Sequence, residues 1–138
     1  MKKGLLLIVL ISSGTALAEA SHPIDQQLAQ CLNTESSTLA LSQCYSRANK
    51  AWDSEMNRQY AQAMARLTGE PKAQLRSAQR AWLAYRDSWL AATRSYFTRS
   101  QGTMAALSLG DQGVSVVRNQ ALMLQSLNKG SCANPDDC

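Results

Sequence analysis

The side chains that most often carry out catalysis are scarce in this sequence. Its 138 residues include one histidine, His22, and the carboxylates of its central part are Asp53, Glu55, Glu70 and Asp87. A hydrolase needs a nucleophile beside a base, or two carboxylates in different environments. Arginines accompany both Asp53 and Asp87 and favour the ionised form of each. The sequence therefore predicts a protein that is not an enzyme and has no catalytic residues.

The four cysteines are placed for structural bridges rather than for chemistry. Cys31 and Cys44 flank the start of a predicted helix, and Cys132 and Cys138 lie in the C-terminal tail. The CxxC-like spacing of redox-active pairs is absent, and an exported chain favours disulfides over a zinc site. The local pairing closes the shortest loops, and the alternative pairs the tail with the N-terminal segment. We expect no metal and no cofactor.

The start of the chain has the layout of a secretory signal peptide. Two lysines precede an apolar run over residues 5–11, and candidate cleavage sites end at Ala18 and Ala20. The run is shorter than the roughly 20 apolar residues that cross a bilayer, which argues against the alternative of an uncleaved anchor. We expect a signal peptide over 1–20 and a single domain over 21–138, periplasmic or secreted, with no membrane span after cleavage.

Cleavage also changes what the net charge implies. The formal charge of the whole chain is +4, and loss of Lys2 and Lys3 lowers it to +2, or to +3 if Glu19 leaves as well. The remaining excess is spread along the predicted helices, whereas nucleic-acid binding needs a basic patch. We expect no nucleic-acid partner.

The chain after residue 20 has the composition of an all-α protein. Alanine, leucine, glutamine, arginine and methionine dominate, and these residues favour helix over strand. Gly69 can end one helix and Pro71 can occupy the first turn of the next. The segment from Gly102 to Gly113 contains three glycines and is the loosest predicted connection. The predicted helices are Asp25–Leu32, Thr38–Leu67, Pro71–Arg99 and about Val114–Leu127.

Apolar spacing predicts that the two long helices form an antiparallel hairpin at the base of a small helical bundle stapled by disulfides. The first stripe steps mostly by four residues, and the second follows a heptad through Leu75, Ala78, Trp82, Tyr85, Trp89, Ala92 and Tyr96. In such a hairpin, facing residues have numbers that sum to about 142. Trp52 should meet Trp89, and Tyr60 should meet Trp82. The aromatic row could also serve as a ligand platform, but heptad spacing favours core packing.

Polar residues flank both stripes. Asp53 and Asn57 share one face of the first long helix, and Gln79 and Arg86 lie one heptad apart on the second. The facing rule places Asn57 opposite Arg86, so we expect Arg86 to be mostly buried and bonded to Asn57 or Asp53. A hydrogen-bonded network that fixes the hairpin register is the favoured interpretation, and a recessed polar site is the alternative.

Two segments, DSEMNRQY and LRSAQRAWLAYRD, resemble the LprI-like family of exported bacterial proteins, which is named for a lysozyme inhibitor. The resemblance extends from about residue 31 to residue 127. Cys31 and Cys44 look like the first two cysteines of the family, whereas its later two are absent and Cys132 and Cys138 are extra. The matching motif residues include Asp53, Asn57, Tyr60, Gln79, Arg80, Trp82, Arg86 and Asp87. Ser115, Arg118 and Leu122 resemble a later family segment.

The resemblance implies an exported binding protein of the cell envelope that inhibits lysozyme or another muramidase stoichiometrically. Arg76, Arg80 and Arg94 could reach the acidic cleft of such a glycosidase, although a solvated helix face also accounts for them. The alternative is a helical interaction module of the envelope, an immunity or assembly factor without lysozyme activity. That function would need a large exposed apolar groove. The sequence does not assign the binding residues.

Overall fold

The structure, a computed structural model, describes residues 21–130, which form four α-helices and no strand. The helices are α1 (Pro23–Thr34), α2 (Thr38–Arg66), α3 (Gly69–Ser100) and α4 (Ala105–Lys129), with a single 3₁₀ turn at Gly102–Met104 before α4. The predicted all-α class is confirmed. The predicted signal peptide and the tail cysteines, Cys132 and Cys138, lie outside the described residues.

Local chemistry explains where the first three helices begin. The imidazole Nδ1 of His22 accepts a hydrogen bond from the backbone N–H of Ile24 at 3.2 Å, and Ser37 Oγ accepts one from Ala40 at 3.1 Å. Both bonds satisfy N–H groups that have no partner within the helix. Between α2 and α3 the chain reverses at Gly69, whose positive φ of 58° favours glycine. The long helices therefore begin and end within about two residues of the predicted positions.

The core is built mainly between α2 and α4, which run parallel to each other. Its buried side chains include Ala48, Trp52 and Met56 of α2 and Val114, Val117, Ala121 and Leu124 of α4. Helix α3 runs antiparallel to both and packs chiefly on α4. No helix within residues 21–130 has the combination of length and apolar character needed to cross a membrane.

The predicted pairing of Trp52 with Trp89 is wrong. Trp52 is fully buried, and its ring packs against the ring of His22 at 4.4 Å between centroids. Trp89 is 41% exposed and its indole N–H donates to Gln112 on α4. Helix α3 leans onto α4, so Trp52 of α2 meets α4 and α1 instead of α3, whereas α3 contacts α2 at Met56. Tyr60 and Trp82 both pack against the core cluster.

The buried face of α3 is also rotated from the predicted heptad. Tyr85 and Tyr96 belong to that heptad, yet they are 55% and 67% exposed. The inward face is centred on Gln79 and Thr93, which are buried, and is completed by the partly buried Leu75, Trp82, Arg86, Leu90 and Phe97. Periodicity identified a one-sided stripe correctly, but that stripe lies at the edge of the helix contact rather than at its centre.

Helix α4 begins at Ala105, nine residues before the predicted Val114. The prediction treated the glycines of this segment as signs of a loop, whereas Gly110 and Gly113 lie within the helix where it packs on α2. A Cβ on Gly110 would lie 2.7 Å from the Cβ of Tyr45, and one on Gly113 would lie 3.1 Å from Asn49 Nδ2. The missing side chains let the backbones of α4 and α2 approach closely. The segment expected to be the loosest is therefore largely helix.

Candidate functional site

The motif glutamine on α3 has a structural role. Gln79 is buried, and its side-chain amide donates to Met56 Sδ at 3.6 Å while its carbonyl oxygen accepts from Gln120 Nε2 at 2.8 Å. These bonds join α2, α3 and α4 at one level of the bundle. Buried polar groups with partners on several elements fix the relative position of those elements. Of the residues expected in the register network, Gln79 takes part here, and its partners are Met56 and Gln120 rather than Asp53, Asn57 or Arg86.

The predicted partner of Arg86 is wrong, although its side chain is mostly buried as expected, with 26% exposed. Its Nε and Nη2 donate to the adjacent Asp87 at 3.0 and 2.9 Å, and its guanidinium lies 5.5 Å from the centroid of the Trp82 ring. Asn57 instead donates to Asp53 on its own helix at 3.1 Å. Because α3 leans away from the middle of α2, the two pairs remain on separate helices. The recessed polar site considered from the sequence does not form.

Three arginines on α3 form an exposed row, which we call the arginine stripe. Arg76, Arg80 and Arg94 are all exposed. At 100° per residue they fall within about 40° of one another around the helix. Arg76 and Arg80 lie one turn apart, so their guanidinium groups can reach neighbouring acceptors on one partner. The motif residue Arg80 is therefore accessible at the surface.

The opposite flank of α3 and the facing side of α4 enclose a groove of about 270 Å³, which we call the aromatic groove. Its α3 wall consists of Trp82, Tyr85 and Trp89. Its α4 wall and floor consist of Gln112, Ser115, Val116, Asn119, Gln120 and Met123. Motif residue Trp82 and its neighbour Tyr85 thus line a surface that the sequence assigned to the core.

The rings of the aromatic groove are held in defined positions. The centroids of Tyr85 and Trp89 are 6.3 Å apart, and their planes differ by 22°. The Trp89 indole N–H donates to Gln112 Oε1 at 3.1 Å, which fixes the indole against α4. The two nearly parallel rings stack one helical turn apart, and both are partly open to solvent.

A charged pair that the sequence analysis missed ties α1 to α4. Arg118 donates through Nε and Nη2 to both carboxylate oxygens of Asp25, at 2.8 to 3.0 Å. These hydrogen bonds raise the pKa of Arg118, against a smaller opposing effect of burial. The guanidinium also lies 5.5 Å from the centroid of the Trp52 ring. Arg118 was noticed in the late motif, but nothing local in the sequence identifies a partner 93 residues away.

A second polar cluster joins the ends of α2 and α4. Glu55 accepts from Arg58 at 2.7 and 2.9 Å and from Gln59 at 2.8 Å, and Gln59 accepts from Asn128 Nδ2 at 2.7 Å. The hydrogen bond from Arg58 is the largest effect on the carboxyl and lowers the pKa of Glu55, with burial opposing it. A carboxylate held ionised in this way suits a structural contact rather than acid catalysis.

The cysteines that the structure describes form a bridge. Cys31 of α1 and Cys44 of α2 are joined by a disulfide, as the local pairing predicted. Within residues 21–130, no three side chains of histidine, cysteine, aspartate or glutamate gather as metal ligands would. Two exposed features of this part of the chain are the arginine stripe and the aromatic groove.

The fold defines a small helical protein whose first two helices are joined by a disulfide. The chain belongs to the LprI lysozyme inhibitor family, whose family model, described as "Lysozyme inhibitor LprI", matches residues 30–121. The matched range contains both motif segments and extends past Arg118. The resemblance seen in the sequence is thereby confirmed.

A solved structure gives a similar fold. The chain is 30% identical to an uncharacterized protein from Burkholderia thailandensis, with a TM-score of 0.71. The similarity covers 78% of this chain and 54% of that protein, so the chain spans about half of the other's length. No curated protein matches the chain.

Proposed function

We propose that this protein is exported to the cell envelope and inhibits a lysozyme or another muramidase by stoichiometric binding. The observation that carries the proposal is the match of residues 30–121 to the lysozyme inhibitor family. The architecture supports it, because four packed helices and a disulfide provide a rigid frame that loses little conformational freedom on binding.

The arginine stripe is the surface that we assign to the enzyme. Muramidases cleave a glycosidic bond with a pair of carboxyl groups, and exposed guanidinium groups pair well with carboxylates. Arg76 and Arg80 lie one turn apart and can approach two such groups together. The net charge of the whole chain is only +4, so the attraction is local rather than a long-range steering field.

A titration of the purified mature protein into a lysozyme clearing assay tests the proposal. Inhibition should saturate near one equivalent, and the protein alone should release no product over time. The double variant Arg76→Ala/Arg80→Ala should weaken inhibition roughly tenfold or more. Arg99→Ala provides a matched control, because Arg99 is exposed on the same helix but lies outside the stripe.

Affinity capture from the native envelope separates this proposal from an interaction module. Absence of inhibition across several muramidases, together with capture of a different envelope protein, would assign the chain to that alternative. Time-dependent product release by the protein alone would overturn both proposals.

A further inference from the structure

We propose that the aromatic groove between α3 and α4 binds an uncharged glycan. The proposal rests on the chemistry of the groove and does not depend on lysozyme inhibition. Its starting point is an exposed aromatic surface in a protein whose core is otherwise filled. Tyr85 and Trp89 are 55% and 41% exposed. Both rings border the groove between α3 and α4 and are accessible to a ligand there.

The ring arrangement suits a pyranose. The faces of aromatic rings carry partial negative charge, and the faces of a pyranose present C–H groups of partial positive charge. Tyr85 and Trp89 are one turn apart and only 22° from parallel. They extend over about 6 Å of helix, which is the length of roughly one sugar ring.

The facing wall supplies neutral hydrogen-bonding groups for the hydroxyls at the sugar edge. Gln112, Ser115 and Asn119 follow one another at three- and four-residue intervals along α4, so they share one face. Amides and hydroxyls both donate and accept hydrogen bonds, as sugar hydroxyls do. Gln112 uses its Oε1 to hold Trp89, and its amide N–H groups lie on the same wall.

The charge of the groove excludes other ligand classes. None of its nine lining side chains carries a charge near neutral pH, so it lacks the cations that phosphate or nucleic-acid ligands require. The α4 wall also carries four neutral polar side chains, which the apolar face of a partner helix would leave without hydrogen-bond partners. A ligand with apolar ring faces and a neutral polar edge satisfies both walls, and a glycan has that chemistry.

The site is separate from the arginine stripe. Trp89 and Arg80 lie on opposite flanks of α3, with the buried face between them. A glycan in the groove would leave the arginines free to contact a protein. The two proposals can therefore fail independently.

Tryptophan fluorescence and NMR titration with oligomers of N-acetylglucosamine and of glucose test the proposal. Saturable binding at millimolar concentration or below is expected for at least one of the two series. Trp89→Ala and Tyr85→Ala should each weaken that binding roughly tenfold, whereas Tyr85→Phe should retain it because the ring face remains. Tyr96→Ala is the matched control, since Tyr96 is 67% exposed on the same helix and does not line the groove.

Absence of saturable binding to either series would overturn the proposal. Binding that Trp89→Ala and Tyr85→Ala leave unchanged would also overturn it, because the glycan would then lie elsewhere. If Trp89→Ala abolishes lysozyme inhibition while no glycan binds, the groove belongs to a protein partner. Circular dichroism of each variant checks that the helices remain folded.

Discussion

Gly110 of α4 lies directly against Tyr45 of α2, with space for a hydrogen but not for a methyl group. A Cβ at Gly110 would be 2.7 Å from the tyrosine Cβ and 2.8 Å from its Cγ. The tyrosine Cβ is attached to the backbone of α2 and cannot rotate away. Burial at this contact, with a smaller effect of the Asp111 charge, raises the pKa of Tyr45. The distance between the two core helices is thus set by one residue without a side chain.

We expect Gly110→Ala to destabilise the protein by about 1–3 kcal/mol, which is the usual cost of overpacking. This loss exceeds the gain of roughly 0.5–1 kcal/mol from replacing a glycine inside a helix. Chemical denaturation measures the difference. Gly113→Ala is the control, because its nearest neighbour is the end of the flexible Asn49 side chain, and it should not lose stability. Equal losses in the two variants would show that the contact with Tyr45 is not special.

The buried tryptophan gives a second prediction. The Trp52 indole N–H finds no hydrogen-bond acceptor among residues 21–130, and an unpaired buried donor costs about 1–3 kcal/mol. Trp52→Phe removes this cost while leaving a small void, so its stability should stay within about 1 kcal/mol of the wild type. Trp52→Ala should lose about 3–5 kcal/mol. A loss in Trp52→Phe as large as that in Trp52→Ala would indicate that the N–H has a partner.

The bidentate pair between Arg118 and Asp25 gives a third prediction. Lysine keeps the charge of arginine but cannot reproduce its two parallel hydrogen bonds. Because the Arg118 side chain is 37% exposed, we expect Arg118→Lys to cost about 1–2 kcal/mol, the lower part of the range for charged hydrogen bonds. A double-mutant cycle with Asp25→Asn should show coupling of at least about 0.5 kcal/mol. Arg58→Lys is the control and should lower stability less, because the Arg58 side chain is more exposed, at 61%. Strictly additive effects of the Arg118 and Asp25 substitutions would contradict the prediction.

The pKa of Glu55 predicts a pH-dependent contribution to stability. Its value is lowered in the folded protein, so the unfolded chain takes up the proton first as the pH falls. Glu55→Gln should therefore lower stability at pH 7 by up to about 1 kcal/mol. The difference in unfolding free energy between Glu55→Gln and the wild type should reach its full value above the ordinary glutamate pKa of about 4.3. It should vanish as the pH falls through the lowered pKa of Glu55 in the folded protein.

Thermal unfolding at a series of pH values measures this dependence. In an Arg58→Ala background the effect of Glu55→Gln should shrink, because the hydrogen bond from Arg58 is the largest cause of the shift. A difference between Glu55→Gln and the wild type that is constant from pH 3 to pH 7 would contradict the assignment.

The helices were predictable because their signals are local. Helix-forming composition, the break at Gly69 and Pro71, and the four-residue stripe through Ala48, Trp52 and Met56 each depend on near neighbours in the sequence. The cysteine pairing was predictable for the same reason, since Cys31 and Cys44 are 13 residues apart. These features defined the class of fold.

The partner of each helix was not predictable, because a stripe shows which face is apolar and not what covers it. The hairpin rule assumes that α2 covers the apolar face of α3, and it therefore predicted Trp89 in the core. In the structure α4 covers most of that face, and Trp89 lies in the groove beside α4. The glycines of α4 also led to the wrong prediction of a loose connection, since Gly110 cannot be distinguished from a loop glycine in the sequence. Gln112 and Asn119 became part of a candidate site only when α3 and α4 were brought together.

The parallel contact between α2 and α4 also determines the order in which the chain can fold. The partners that complete the core lie far apart in sequence, with 69 residues between Gln59 and Asn128 and 93 between Asp25 and Arg118. The first three helices have too few mutual contacts for a core of their own, so stable structure must wait until α4 is synthesised. A ribosome-bound chain ending before Val114 should remain sensitive to protease. Such late folding leaves the nascent chain without a stable core for most of its synthesis.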